Sequence, residues 1–407
     1  MVCGTAPAPE LAQVVRLHLH ACQEQFGLSA AQRRVCGAIA ACRTAAMGGQ
    51  LFACDSCGAS HFVYHSCRNR HCPKCQSLTK ERWLAARIAD LLPVPYFHLV
   101  FTLPHAIHPL VHSHPRLVYE LLFQSAAHTL LEFGRNRRWL GGRIGITLVL
   151  HTWAQNLTRH VHVHGVVSGG ALSPQGQWMP AKRGFLFAVR ALSQVFRGKY
   201  LDALQSARAN GQLNSNPVAS DLAAWRLLLE RLRQHDWVVY AKRPFAGPEQ
   251  VLDYLGRYTH KVAISDHRLV EVTSENVTFR YRDRTAHGKD KRKLLCLPGP
   301  QFLQRFLLHV LPQGFKRIRH YGLTASRSKK VCLSACRRQL DVAAPATPDP
   351  ETPAAFMRRI AGVDITLCAV CKTGHLRLVA TLARDAHPFR QALAHQATGP
   401  PRIDVAP

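Results

Sequence analysis

His160, His162 and His164 occupy every second position of the stretch RHVHVHGVVSGG. In a strand, successive side chains point to opposite faces, so these three imidazoles would line one face. His162 and His164 would stand about 7 Å apart along the backbone and can converge on one divalent ion. A polar strand face turned to water is the plain alternative; the run of three and the glycine-rich exit favour a metal. A second constellation lies in DYLGRYTHK, where Tyr254 and Tyr258 are four residues apart and share one face of a helix. That spacing alone equally describes an aromatic core stripe. Arg257, His260 and Lys261 crowd around the pair, an unusual setting for buried rings.

Cysteine supplies the third set of candidate ligands. Nine of the 14 cysteines precede residue 76, which marks off a first domain. In CDSCGASHFVYHSCRNRHCPKC, two C-x2-C pairs, Cys54/Cys57 and Cys72/Cys75, are separated by 14 residues. Two such knuckles facing each other supply the four soft ligands that a tetrahedral structural zinc requires. Buried thiols packed as small hydrophobes are the alternative. Cys42, Cys67 and His71 are left over and, with His18 or His20 as a fourth ligand, could hold a second zinc. Arg68 and Arg70 lie in the same basic stretch, suited to gripping phosphates. Further on, Cys368, Cys371 and His375 offer three ligands with no evident fourth, while Cys332 and Cys336 look incidental.

These residues need a scaffold. The alternating patterns predict strands over 96–103, 142–153, 160–170 and 237–242, and a hairpin over 267–283. Helices are expected over 10–26, 29–46 (capped by Ser29), 77–92, 116–139, 186–209, 219–235 and 248–261. Strands in hairpins with helices between them imply an α+β fold with a mainly antiparallel central sheet, preceded by a small helical, zinc-binding domain. The expected division is 1–92 for the zinc domain, 93–290 for the catalytic domain, 291–340 for a basic segment, 341–355 for a Pro/Ala linker and 356–407 for a tail. The 407-residue chain carries 53 Lys and Arg against 24 Asp and Glu, a net charge of +29. Such a surplus suits a polyanion, and nucleic acid is the usual one. No run approaches the ~20 apolar residues of a spanning helix, and no secretory leader is visible, so a cytoplasmic, nucleoid-associated protein with reduced cysteines is expected.

Four stretches together resemble a known family. CRTAAMGGQLFACDSCGASHFVYHSCRNRHCPKCQ, LVLHTWAQNLTRHVHVHGVVSGGAL, YLGRYTHKVAIS and HVLPQGFKRIRHYG are similar, in that order, to the rolling-circle insertion-sequence transposases of the two-tyrosine HUH type, the IS91-type family. The resemblance runs from about residue 10 to 335, and CAVCKTGHL echoes a C-terminal knuckle. It implies an HUH-endonuclease-like domain in which His162 and His164 hold Mg2+ or Mn2+ against a scissile phosphate. It implies that Tyr254 and Tyr258 are nucleophiles forming 5′-phosphotyrosine links with single-stranded or hairpin DNA at the element ends, and then with target DNA. Arg257 and Lys261 would contact that DNA. A third metal ligand is expected among His151, His160 and His260. The related common-region branch keeps a single tyrosine, so either phenol could carry most of the work. No nucleotide cofactor is implied, and no Walker-type phosphate loop is present.

Trp153, Phe279 and Tyr281, set among Arg280, Arg282 and Arg284, could stack on unpaired bases or simply be strand aromatics. Two other readings compete. A zinc hydrolase would use the histidine strand but leave the charge unexplained. A non-catalytic, zinc-dependent DNA-binding regulator would leave the histidines and tyrosines idle.

Overall fold

The structure, a computed structural model, describes residues 8–88, 90–182, 184, 186–241, 250–251, 256, 263–283, 292–343 and 351–384. Along the chain run α1 (Leu11–Phe26), α2 (Ala30–Ala41), β1 (Gly49–Cys54), β2 (Ser60–Tyr64), α3 (Gln76–Ile88), β3 (Tyr96–Thr102), α4 (His108–Ser113) and α5 (Pro115–Arg135). Then come β4 (Arg143–Trp153), β5 (Arg159–Leu172), β6 (Trp178–Pro180), α6 (Val189–Ala209), α7 (Pro217–Ser220), α8 (Leu222–Gln234) and β7 (Val239–Ala241). The last described elements are β8 (Leu269–Val272), β9 (Asn276–Arg282), β10 (Arg292–Pro298), α9 (Gly299–Leu307), β11 (Ile318–Gly322), α10 (Lys329–Gln339), α11 (Pro353–Ala361) and β12 (Leu376–Leu382). This is the expected α+β class. No helix among the described residues is long and apolar enough to cross a membrane.

The chain forms two compact units, and they do not follow the linear division expected above. The first joins residues 1–77, 264–310 and 347–407; the second joins 78–263 and 311–346. The segment expected as the zinc domain is therefore joined by two later segments, and the described tail residues, 356–384, belong to the same unit. The reason is strand pairing: β12 lies antiparallel beside β1, with Cys54 opposite Leu376. Such pairing between distant segments has no local sequence signal.

In the first unit, α1 buries Leu11, Val14, Val15, His18, Leu19 and Cys22, the 3–4 spacing of one helical face. It packs on α2 and on α9, whose Phe302, Leu303, Phe306 and Leu307 are buried. Ser29 caps α2 as expected, exchanging hydrogen bonds with Gln32. The helix ends at Ala41, earlier than expected, because Cys42 turns into extended backbone.

The second unit is built on a sheet of order β11-β4-β5-β3-β7, antiparallel throughout, with β6 paired to β5. Its two faces differ. Leu99, Phe101, Leu148, Leu150, Val161 and Val163 point into the main core together with Phe123, Leu130 and Phe196 of α5 and α6. Burying each such side chain contributes about 1.5–3 kcal/mol relative to exposure. Residues alternating with these carry the histidines to the opposite face. There Tyr96 and Val166 pack with Leu333, Cys332 and Cys336 of α10 in a smaller cluster. Cys332 and Cys336 are thus buried packing residues. The helix expected over 116–139 begins at Pro115, after α4, and ends at Arg135. Proline at its first position suits a helix start, where no N–H is required.

Candidate metal centres

The central strands hold the first site. His162 and His164 project from β5, and His151 lies directly opposite His162 on β4. Ligand nitrogens of the three rings all lie within 4.8 Å of one another. The ladder is irregular just after His151, between it and Trp153, and the Trp153 ring stacks on His151 with centroids 4.7 Å apart. Local ladder irregularities of this kind re-aim side chains beside active sites. All three histidines are buried, at 3–8% exposure.

Hydrogen bonds orient two of the rings. His162 Nδ1 donates to the carbonyl of His160 at 2.9 Å, which leaves Nε2 with its lone pair. His164 Nδ1 lies 3.1 Å from Nε2 of His98 on β3, an arrangement that turns the other nitrogen of His164 inward. His162 Nε2 and His164 Nε2 are 3.1 Å apart. Two nitrogens bound about 2.1 Å from one ion at right angles would be about 3.0 Å apart. The donor set therefore fits a divalent cation. Of the three candidates for the third ligand, His151 joins the group. His160 is not in the group, although its ring lies 4.7 Å from that of His162 as well as 6.0 Å from that of His105. His260 lies outside the described residues, as do Tyr254, Tyr258, Arg257 and Lys261. Two residues flanking Tyr254 are described. Val251 is fully buried in the cluster of Val166 and Tyr96, on the histidine face of the sheet. Gly256 is buried against Leu84, which packs on the same cluster: a Cβ there would lie 2.9 Å from Leu84 Cδ1.

The cysteines are grouped differently from the expected set of Cys54, Cys57, Cys72 and Cys75. The sulfurs of Cys42, Cys67, Cys72 and Cys75 form one cluster; Cys54 and Cys57 join Cys368 and Cys371 in another. The two C-x2-C knuckles of the head face different partners. In the first cluster Cys42 Sγ and Cys67 Sγ lie 3.4 and 3.6 Å from Cys75 Sγ. Ligands 2.3 Å from a tetrahedral zinc are about 3.8 Å apart, so the spacing fits. Cys42 and Cys67 share one cluster, but its remaining places go to Cys72 and Cys75 and not to the expected histidines. His71 is not in the cluster; its backbone N–H donates to the Asn69 side chain. His18 is buried on α1 against Gly299, and His20 pairs at the surface with Glu24. Cys42 carries the reason for the early end of α2, since its sulfur must leave the helix to meet the others.

Arg68 and Arg70 are exposed on the loop between Cys67 and Cys72, where phosphate could be reached. Arg68 has a positive φ of 52°. Phe279, by contrast, is fully buried and packs edge-on against Phe302 at 5.3 Å, so it is a core residue and not a stacking platform. Arg280 and Arg282 of the same strand are exposed. Arg284 lies outside the described residues. Sequence reasoning missed His98, a lone imidazole in the apolar strand YFHLVFT, and that setting was the available signal.

Residues 145–331 match the family described as "Putative transposase", and residues 14–103 match the family described as "Transposase zinc-binding domain". The chain is 46% identical over 376 residues to "Putative transposase y4qJ" of Sinorhizobium fredii, covering 90% of this chain and 94% of that one. It is 28% identical over 357 residues to the "Transposase for insertion sequence element IS801" of Pseudomonas savastanoi pv. phaseolicola, covering 86% and 83%. No solved structure matches the chain. The histidine-bearing sheet falls largely within the first matched stretch and the cysteine-rich head within the second, and by both, together with its identity to these relatives, the chain belongs to the IS91-type insertion-sequence transposases, DNA-processing enzymes of mobile elements, and carries their zinc-binding domain toward its N-terminus.

Proposed function

We propose that this transposase cuts and rejoins single-stranded DNA at the element ends through tyrosine–phosphate links, as a rolling-circle enzyme, with His151, His162 and His164 holding a divalent cation. The observation that carries the reading is the cluster of three buried imidazoles, two of them oriented by hydrogen bonds, on the sheet face away from the main core. When bound there, Mg2+ or Mn2+ polarises a phosphoryl oxygen and offsets the charge that builds during attack. His98 and the His160 carbonyl keep the ligand nitrogens turned inward. The three rings are buried at 3–8% exposure, so packing restricts their rotation.

The nucleophile is the phenol oxygen of Tyr254 or Tyr258. It forms a bond to phosphorus while the bond to the 3′ oxygen breaks. The phenol gives up its proton, the departing 3′ oxygen takes one up, and the products are a 5′-phosphotyrosine and a free 3′-OH. The link conserves the energy of the phosphodiester, so no nucleotide is consumed. The second tyrosine can make another cut while the first holds its strand. A free phenol has a pKa near ~10, so the cation and the nearby Arg257, His260 and Lys261 of the sequence must ease its ionisation. Support for a shared site comes from Val251 and Gly256, which flank Tyr254 and pack on the histidine face. Single-stranded or hairpin DNA is the expected substrate because attack needs an unpaired, accessible phosphate. The zinc of the head is assigned to Cys42, Cys67, Cys72 and Cys75, with Arg68 and Arg70 between its ligands as phosphate contacts.

The test is a labelled single-stranded oligonucleotide carrying an element end, incubated with protein and Mn2+. A denaturant-resistant protein–DNA adduct is expected. Replacing both tyrosines (Tyr254→Phe with Tyr258→Phe) should abolish it and leave DNA binding intact. An undiminished adduct in the double variant would refute the assignment, and mapping the DNA-bonded peptide would name the true nucleophile.

A further inference from the structure

We infer that Cys54, Cys57, Cys368 and Cys371 form a second structural zinc site, made by one knuckle from each of two segments more than 300 residues apart in sequence. Neither matched stretch, 14–103 or 145–331, contains Cys368 or Cys371. All four thiols lie in the first compact unit. Cys54 Sγ is 3.6 Å from Cys371 Sγ, a pair separated by 317 positions, and Cys57 Sγ is 3.8 Å from Cys368 Sγ. These are edge lengths of a tetrahedron of sulfurs about 2.3 Å from its centre. They are far from the ~2.05 Å of a disulfide.

The surroundings are built for thiolates. Backbone N–H groups of Ser56 and Cys57 donate to Cys54 Sγ at 3.4 and 3.5 Å, and that of Gly374 donates to Cys371 Sγ at 3.3 Å. His61 Nε2 lies 3.3 Å from Cys368 Sγ. Such outer contacts orient ligands and favour the deprotonated sulfur. Close approach of the two knuckles depends on a glycine: a Cβ on Gly374 would lie 2.4 Å from Cys54 Sγ and 2.6 Å from Ser56 Cβ. Asp55 ties the knuckles together, its backbone N–H donating to the His375 carbonyl and its carboxylate accepting from the His375 backbone N–H. The Asp55 carboxylate also accepts from Arg377 Nε at 3.3 Å. Beyond the knuckles, β1 and β12 continue as paired strands. Four soft donors, closed off with no free position, select zinc in a structural role.

The experiment is metal analysis of the purified full chain, with Co2+ substitution read by absorption. Two zinc ions per chain are expected, one in each cysteine cluster. Cys368→Ser with Cys371→Ser should lose one equivalent and leave the other, whereas Cys72→Ser with Cys75→Ser should lose the first. Loss of an equivalent in the Cys368/Cys371 variant is the required result, whatever the content of the unaltered chain, so failure of the head assignment is recognised separately. Cys371→His keeps four ligands and guards against misfolding: it should retain zinc and shift the cobalt bands of one site. Unchanged zinc content in the tail variant, unshifted cobalt bands in Cys371→His, or iron in place of zinc at this site would each overturn the inference.

Discussion

Replacing His98 by phenylalanine tests whether the imidazole site is preorganised. His98 is 4% exposed, and its ring stacks on His164 with centroids 5.3 Å apart and planes at 14°. Phenylalanine preserves that stacking and most of the volume but removes Nε2, which lies 3.1 Å from His164 Nδ1. The His164 ring then has no fixed tautomer, and no water can easily replace the lost partner at a buried position. Outer partners of this kind typically change metal affinity by about 10–100-fold, or about 1.4–2.7 kcal/mol. We expect His98→Phe to raise the Mn2+ concentration for half-maximal adduct formation by that factor, with a matching loss in calorimetric Mn2+ binding. His98→Gln, whose side-chain carbonyl can still accept, should recover part of the loss. Near-UV circular dichroism should show the fold retained. If the Phe variant folds and binds Mn2+ as tightly as the unaltered chain, His98 is only packing, and the argument from tautomer control is wrong.

Three further outcomes are expected. Three imidazoles, with no carboxylate in the cluster among the described residues, suit manganese better than the harder magnesium, so adduct formation should saturate at lower Mn2+ than Mg2+; equal midpoints would remove that preference. In Gly299→Ala the new Cβ would lie 2.1 Å from the buried His18 ring, so α1 and α9 must separate. A loss of about 1–3 kcal/mol in urea unfolding is expected, and a neutral result would show that the helices shift freely. Burial, reinforced by the Arg87 charge, holds His320 down at about 4 against an ordinary 6.5. The unfolded chain therefore takes up this proton first, and stability present above pH 6.5 is lost as pH falls toward 4. About 2 kcal/mol should go between pH 7 and pH 5 from this residue. His320→Gln should shrink the difference between unfolding curves at those two pH values, and an unchanged difference would place the acid sensitivity elsewhere.

What could be read from the sequence was local. The alternation of apolar and polar residues over 142–153 and 160–170 is a strand signal, and β4 and β5 lie where it put them. Strand periodicity alone puts His162 and His164 on one face, because neighbours two apart must share it. The C-x2-C spacing likewise announces metal knuckles, since each pair sits on one tight turn. Helix ends were less legible where tertiary demands intervened: Cys42 leaves α2 for its sulfur cluster, although the Ala-rich run continues past it.

Partner choice belonged to the tertiary structure. A knuckle supplies two ligands and says nothing of where the other two come from. Cys54/Cys57 meet Cys368/Cys371 because β1 pairs with β12, and Cys72/Cys75 meet Cys42 and Cys67 instead of the nearer-looking pair. The third histidine, His151, was one of several candidates until the β4–β5 register set it opposite His162. His98 drew no notice because its role depends on a neighbouring strand. Spacing along a chain decides which side chains one element can offer together; only the register and packing of distant elements decide which offers meet, because those contacts are paid for by burial and pairing spread over the whole fold.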